Sequence, residues 1–233
     1  SAEVLALYDD IAAALGDERS LAGRLRVGAV QTALAGVLPD ALVALNRAHP
    51  RARVAVSVGL SAEMAEKVAA GELDAALTTE PVRPYPAGLV WTPLYQDRFW
   101  LFAPPGQARR SARDLLAELP FIRFDSKAWA GRVIDRELRR MRVEVHEEMV
   151  LDSQDIILRM VEKGLGVAVL AVSDEIFAGL KLTCLPFGEP QLIRNIVMLE
   201  RQDRRGGPLA VALAEAVKNA KAAAASPARK RAK

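Results

Sequence analysis

Few side chains here have the type and spacing that chemistry needs, and most of them stand where an apolar run gives way to an amphipathic one. Gln31 and Thr32 follow the run Arg24–Val30, Ser61 and Ala62 follow Arg53–Val58, Ser126 and Trp129 follow Phe121–Phe124, and Asp152 and Ser153 follow Val150 and Leu151. Each is a strand-to-helix junction. The N–H groups of a first helical turn have no partner inside the helix, and the dipole is positive there. Small anions suit such a place, at ~0.3–1 kcal/mol per helix end and more where the end is partly buried. Taken singly, Ser61 or Ser153 could simply cap its helix. Taken together, were the fold to have two lobes, the junctions are expected to converge on one cleft.

Catalytic patterns are missing. His49 stands between Ala48 and Pro50, and His146 alternates with Val145 and Glu147, so neither has a partner at zinc-ligand spacing. Gly59-Leu60-Ser61-Ala62-Glu63 lacks the second glycine of a nucleophile elbow. Gly164-Leu165-Gly166 follows a helical pattern instead of opening one, the reverse of a dinucleotide fingerprint. Cys184, the single cysteine, lies in an apolar strand-like run, Leu182–Leu185, with no basic neighbour to activate it. No cofactor is expected, no metal, and no enzyme.

These residues must be held by a sizeable fold. The chain has 233 residues, 51% of them apolar, enough for a substantial core in one or two domains. No apolar run approaches the ~20 residues that span a bilayer, and no signal segment is present, so no membrane partner and a cytoplasmic location are expected. The formal charge of +3 is a tail effect: Lys218, Lys221, Arg229, Lys230, Arg231 and Lys233 stand among residues 218–233 without an acid, which leaves −3 for the rest. A mildly acidic body lacks the basic stripe of a nucleic-acid-binding domain.

Period and punctuation predict the elements. Val4, Leu5, Tyr8, Ile11, Ala12 and Leu15 form a helical face ahead of the first apolar strand pattern. Then comes a β-α-β rhythm: strand Arg24–Val30, a helix with Leu34, Val37, Leu38, Ala41, Leu42 and Leu45 on one face, strand Arg53–Val58, a helix from Ser61 to Gly71, and strand Leu73–Leu77. Pro39 inside the first helix predicts a kink or a first-turn position. Pro81, Pro84, Pro86 and Gly88 mark a crossover. Beyond it, strands are expected at Leu89–Tyr95, Arg98–Ala103, Phe121–Phe124, Val143–Leu151 and Leu192–Leu199, with a strand or tight turn at Val167–Ala171. Helices are expected at Arg113–Glu118, Ala128–Met141, Ser153–Lys163, Ser173–Phe177 and Pro208–Lys221. A chain that leaves one α/β unit, builds another and returns gives two lobes joined by two crossings, near Thr79–Pro81 and Gln191–Arg194, with a cleft between them.

The order and spacing of several short motifs resemble the effector-binding domain of LysR-type transcriptional regulators. They are Leu25-Arg26-Val27-Gly28-Ala29, Leu38-Pro39 with His49-Pro50, Gly71-Glu72-Leu73-Asp74-Ala75-Ala76, Pro93-Leu94-Tyr95-Gln96-Asp97, and Val161-Glu162-Lys163-Gly164-Leu165-Gly166-Val167-Ala168. The resemblance implies an α/β fold of two Rossmann-like lobes joined by two crossing strands, like type 2 periplasmic binding proteins. It implies a linker helix over residues 1–20, a first lobe from 24–79 and 192–223, a second from 80–191, and a basic disordered tail at 224–233. The function implied is sensing of a small-molecule effector, expected to be an organic anion, to control transcription. It further implies a homodimer or higher homo-oligomer, for which the sequence offers the face of residues 4–15. Promoter DNA would be met only through a winged helix-turn-helix head that is absent from this sequence.

Carried over residue by residue, the resemblance puts effector contacts at Gln31 and Thr32, at Ser61 with Ala62, at Thr78 and Thr79, and along Phe124 to Trp129, including Ser126. Where some relatives have threonine this chain has Ala62, which removes one hydroxyl. Trp129 offers a flat apolar wall, and Lys127 or Arg132 either pairs with a carboxylate or is solvated helix surface. A solute-binding protein of a transport system would share the fold. The absent signal segment, the helix before the first strand and the motif wording argue against it. An enzyme on this scaffold would need a cofactor-attaching cysteine or paired acids in the cleft.

Overall fold

A computed structural model describes residues 20–83, 85–172 and 181–228. The expected linker helix over 1–20 and short helix Ser173–Phe177 therefore lie almost wholly outside the described residues. The elements are β1 (Gly23–Ala29), α1 (Gln31–Ala35), α2 (Leu38–Ala48), β2 (Ala52–Val58), α3 (Ser61–Ala69), β3 (Ala75–Thr79), β4 (Leu89–Ala103), α4 (Ala112–Glu118), β5 (Phe121–Phe124), α5 (Trp129–Arg140), β6 (Glu147–Leu151), α6 (Gln154–Glu162), β7 (Ala168–Val172), β8 (Thr183–Pro186), β9 (Ile193–Arg201) and α7 (Pro208–Ala228), with a short 3-10 turn at Gln202–Arg204.

One sheet runs β2-β1-β3-β9-β4-β7, with β8 also on β4, and a second small sheet pairs β5 with β6. β1 is parallel to β2 and β3, the product of helical crossovers, whereas β9 is antiparallel to both β3 and β4. β4 is the joint of the molecule. From Leu89 to Arg98 it pairs with β9, and from Arg98 to Phe102 it pairs with β7, with β8 alongside from Trp100 to Ala103. The pairing thus changes near Arg98, and residues 89–97 lie in the sheet with β9 and β3; the crossing expected near Thr79–Pro81 is not where the partner changes.

Two apolar cores flank this joint. One gathers Leu25, Val27, Leu38, Leu45, Leu77, Ile196, Leu213 and Val217. The other gathers Phe99, Phe102, Leu115, Phe121, Ile122, Ile134, Ile157 and Val169. β3 and β7 are buried along their whole length, as strands covered on both faces must be; β7 accordingly reads as an unbroken apolar run, while β3 ends in the buried pair Thr78 and Thr79.

Several expected elements differ. The first helix is two: α1 ends at Ala35 and α2 starts at Leu38, with Pro39 in its first turn. Continuing α1 would drive the Pro39 ring against the carbonyl four residues back and forfeit a hydrogen bond, so the chain breaks at Gly36 and Val37. The expected strands Leu89–Tyr95 and Arg98–Ala103 are one strand that absorbs a register shift between Pro93 and Tyr95. The strand expected from Val143 begins only at Glu147. Gly164, at φ 81°, closes α6 as its position predicts, since glycine carries no Cβ penalty there. The last helix continues to Ala228, so the start of the tail expected at residue 224 is helical. No helix among the described residues is long and apolar enough to cross a membrane.

Candidate functional site

A cleft of about 350 Å³ opens between the two cores. Gln31 and Thr32 from the start of α1, Ser61 from the start of α3 and Thr79 from the end of β3 line one side. Phe124 from the end of β5, Ala128 and Ala130 around the start of α5, and Gln154 from the start of α6 line the other. Arg194 of β9 lies between them. Four helix starts therefore meet at one cleft.

The hydroxyls at these junctions are not spent on caps. Ser61 is the first residue of α3, behind an N-cap at Leu60 that makes no side-chain cap bond, and it is buried at 2% exposure. Ser153 is the N-cap of α6 and makes no side-chain cap bond either. Gly131 lets α5 start close against the end of β5: a Cβ there would stand 2.3 Å from the Asp125 carbonyl oxygen. That approach brings the first turn of α5 to the cleft.

Arg194 dominates the electrostatics. Its side chain is 3% exposed, and its Nη2 donates to Thr32 Oγ1 at 2.8 Å, to Asp97 Oδ2 at 3.0 Å and to the Ala171 carbonyl at 3.1 Å. The same carbonyl accepts from Gln154 Nε2 at 3.1 Å. Buried Nε of Arg194 has no hydrogen-bond partner among the described residues. Glu63 and Asp152 also line the cleft, but both are exposed, and Glu63 accepts from Lys67 Nζ at 2.6 Å. Buried Asp97 balances the Arg194 charge, and the fields of Glu63 and Asp152 are weakened by water because both are exposed.

Of the residues that the sequence singles out, Gln31, Thr32, Ser61, Thr79, Phe124, Asp152 and Ser153 line the cleft, and Ala62, Thr78, Ser126, Lys127, Trp129 and Arg132 do not. Ala62 packs against a small core of Met64, Val68, Leu73, Leu89 and Leu199. Trp129 is buried in that same core, which also holds Met64, Ala65 and Val68 of α3, and its indole is not among the residues that line the cleft. Thr78 is fully buried on the face of β3 turned from Thr79, with its hydroxyl unpartnered among the described residues. Ser126 is exposed and spends its carbonyl on Arg132 Nε at 3.1 Å, which ties Arg132 back to its own loop.

Sequence reasoning passed over Arg194 and Gln154. A lone cation within the apolar run Leu192–Leu199, at an expected crossing, was the available signal for the first. Gln154 carried none beyond following Ser153. Cys184 lies in β8 opposite Phe102, away from the cleft lining, and burial pushes its thiol above the ordinary range.

The LysR substrate binding domain family matches residues 18–222, and the chain belongs to that family. A curated relative, a probable RuBisCO transcriptional regulator of Cyanophora paradoxa, is 28% identical over 179 residues, which is 73% of this chain and 55% of the relative. The chain thus spans about half the length of that relative. Among solved structures, the effector binding domain of QuiR in complex with shikimate superposes with a TM-score of 0.75 at 14% identity, covering 85% of this chain and 97% of that one. The regulatory domain of CcmR from Synechocystis, in complex with 2-PG, gives 0.72 at 18% identity, covering 85% and 97%. At such identities the likeness shows the fold, that of the LysR effector-binding domains with two lobes of the type 2 periplasmic-binding kind.

Proposed function

We propose that this chain is the sensing domain of a LysR-family transcriptional regulator and that a small organic anion bound in the cleft sets its state. The observation that carries the reading is the buried guanidinium of Arg194, with an unspent Nε, at a cleft where four helices start. Gln31, Thr32, Ser61, Thr79, Phe124 and Gln154 surround it, and about 350 Å³ suits a metabolite rather than a polymer. The complex of QuiR with shikimate, a hydroxylated carboxylic acid, fits the same chemistry.

The two lobes meet where β4 and β9 cross, and the pairing supports a division near Asp97 and Arg98 instead of at residues 79 and 80. An anion contacting both lobes favours the arrangement that brings its donors together, and it shifts the equilibrium only by its differential affinity. In the whole regulator that shift would act, through a homodimer, on promoter DNA held by a separate head in the cytoplasm. The relatives are named as regulators, which argues against both a transport role and an enzyme.

Thermal unfolding across a panel of carboxylates, sulfate and phosphate at constant ionic strength tests the reading. A ligand at ~100 times its Kd adds about 2.7 kcal/mol, or several degrees in a chain of this length. The shift is expected to vanish in Thr32→Ala and Ser61→Ala. A shift that survives in both variants would place the ligand elsewhere, and no shift from any anion would overturn the anion reading.

A further inference from the structure

Arg194 is unevenly used. Its Nη2 carries two hydrogens yet faces three acceptors at 2.8, 3.0 and 3.1 Å, while its buried Nε–H faces none among the described residues. The acceptors come from three places: Thr32 at the start of α1, Asp97 on β4 and Ala171 on β7. Asp97 is also unevenly used. Oδ2 takes Arg194, whereas buried Oδ1 has no hydrogen bond among the described residues and lies 3.8 Å from Lys221 Nζ on α7. Lys221 is itself 15% exposed and sits 5.3 Å from the centroid of the Tyr95 ring. Two cations thus meet one carboxylate in a place shielded from water.

Resting on the reading of the cleft as an anion site, we propose that Asp97 is an internal counter-ion which the ligand's negative group replaces on Arg194, and that Lys221 takes up Asp97 as it is released. The exchange uses the idle Nε–H of Arg194 together with an Nη2 hydrogen, the side-on geometry that suits a carboxylate. It brings the idle Oδ1 of Asp97 to Lys221, and it passes the state of the cleft to α7, which packs along α2. Asp97 and Lys221 are therefore positioning residues, neither of which lines the cleft.

The test measures acetate and inorganic phosphate binding to the whole chain, by thermal shift at fixed ionic strength, in Asp97→Asn, Lys221→Gln and the double variant. Removing the internal competitor should tighten both anions about 5-fold or more, and removing the acceptor of Asp97 should weaken them by a similar factor. In the Asp97→Asn background, Lys221→Gln should change nothing, because there is no released carboxylate left to receive. Hydrogen exchange along α7 should respond to phosphate in the parent and not in Lys221→Gln. Weaker binding in Asp97→Asn, or an undiminished Lys221→Gln effect in the double variant, would overturn the exchange while leaving the anion site standing. Failure of the parent to bind either anion would overturn both. Should Asp97→Asn not fold, Lys221→Gln alone decides, through its anion affinity and the response of α7.

Discussion

Asp74 and Arg26 clasp each other across β1 and the entry to β3. The carboxylate of Asp74 accepts from the Arg26 backbone N–H at 2.8 Å, from Nε at 3.2 Å and from Nη2 at 2.8 Å, and the Asp74 N–H donates to the Arg26 carbonyl at 2.9 Å. Arg26 Nη2 also donates to the Gly71 carbonyl at 2.9 Å, so the turn after α3 is held by the same side chain. The Arg26 hydrogen bonds hold the Asp74 carboxyl below the ordinary aspartate range.

Asp74→Asn should therefore lower stability with a defined pH dependence. Because the folded state depresses this acid's pKa, its contribution is complete above the ordinary aspartate range and is lost as pH falls through the depressed value. The partners are a quarter or more exposed, so solvent screening keeps the effect near ~1 kcal/mol, a midpoint lower by about 2–4 °C at neutral pH. Thermal scans of both proteins from neutral to acid pH should show the gap closing at the acid end; a gap constant with pH would mean that charge plays no part.

Trp129→Ala should be much more costly. The indole is 4% exposed in a core shared with Met64, Val68 and Leu89, so truncation leaves a cavity between elements from the two sides of the cleft. A loss of about 3–5 kcal/mol is expected from urea unfolding. A loss under ~1 kcal/mol would show that this packing contributes little.

Gly131→Ala should disturb the site without emptying the core. The added methyl would stand 2.3 Å from the Asp125 carbonyl oxygen, and backbone is the neighbour that has to give. Overpacking of this kind costs about 1–3 kcal/mol. The start of α5 should shift, so any anion-induced rise in midpoint should shrink as well, and an unchanged rise would mean that α5 takes no part in binding.

Cys184 should behave as an inert thiol. Its Sγ lies 3.6 Å from the Leu182 carbonyl oxygen, and burial raises its pKa. Since the thiolate is the reactive form, labelling by a disulfide reagent at neutral pH should be slow in the folded chain and fast in urea. Fast labelling of the folded chain would show a more open β8.

The alternation of apolar strand and amphipathic helix, with Gly164 as a helix stop, is local chemistry, and it was legible residue by residue. So were Gln31, Thr32 and Ser61, because a junction is written in adjacent residues. Pro39 showed that the first helix must break or begin there, but which of these happened depended on how α1 and α2 pack. What the tertiary structure alone decided is which junction side chains face the cleft. Thr79 faces it and Thr78 does not, since successive strand residues point to opposite faces and only sheet pairing says which face is which. Trp129 went to a core that residues of α3, β3, β4 and β9 build with it, and only folding brings those elements together. Arg194, Asp97 and Lys221 lie far apart along the chain, and a buried charge cluster exists only where folding excludes water from all three.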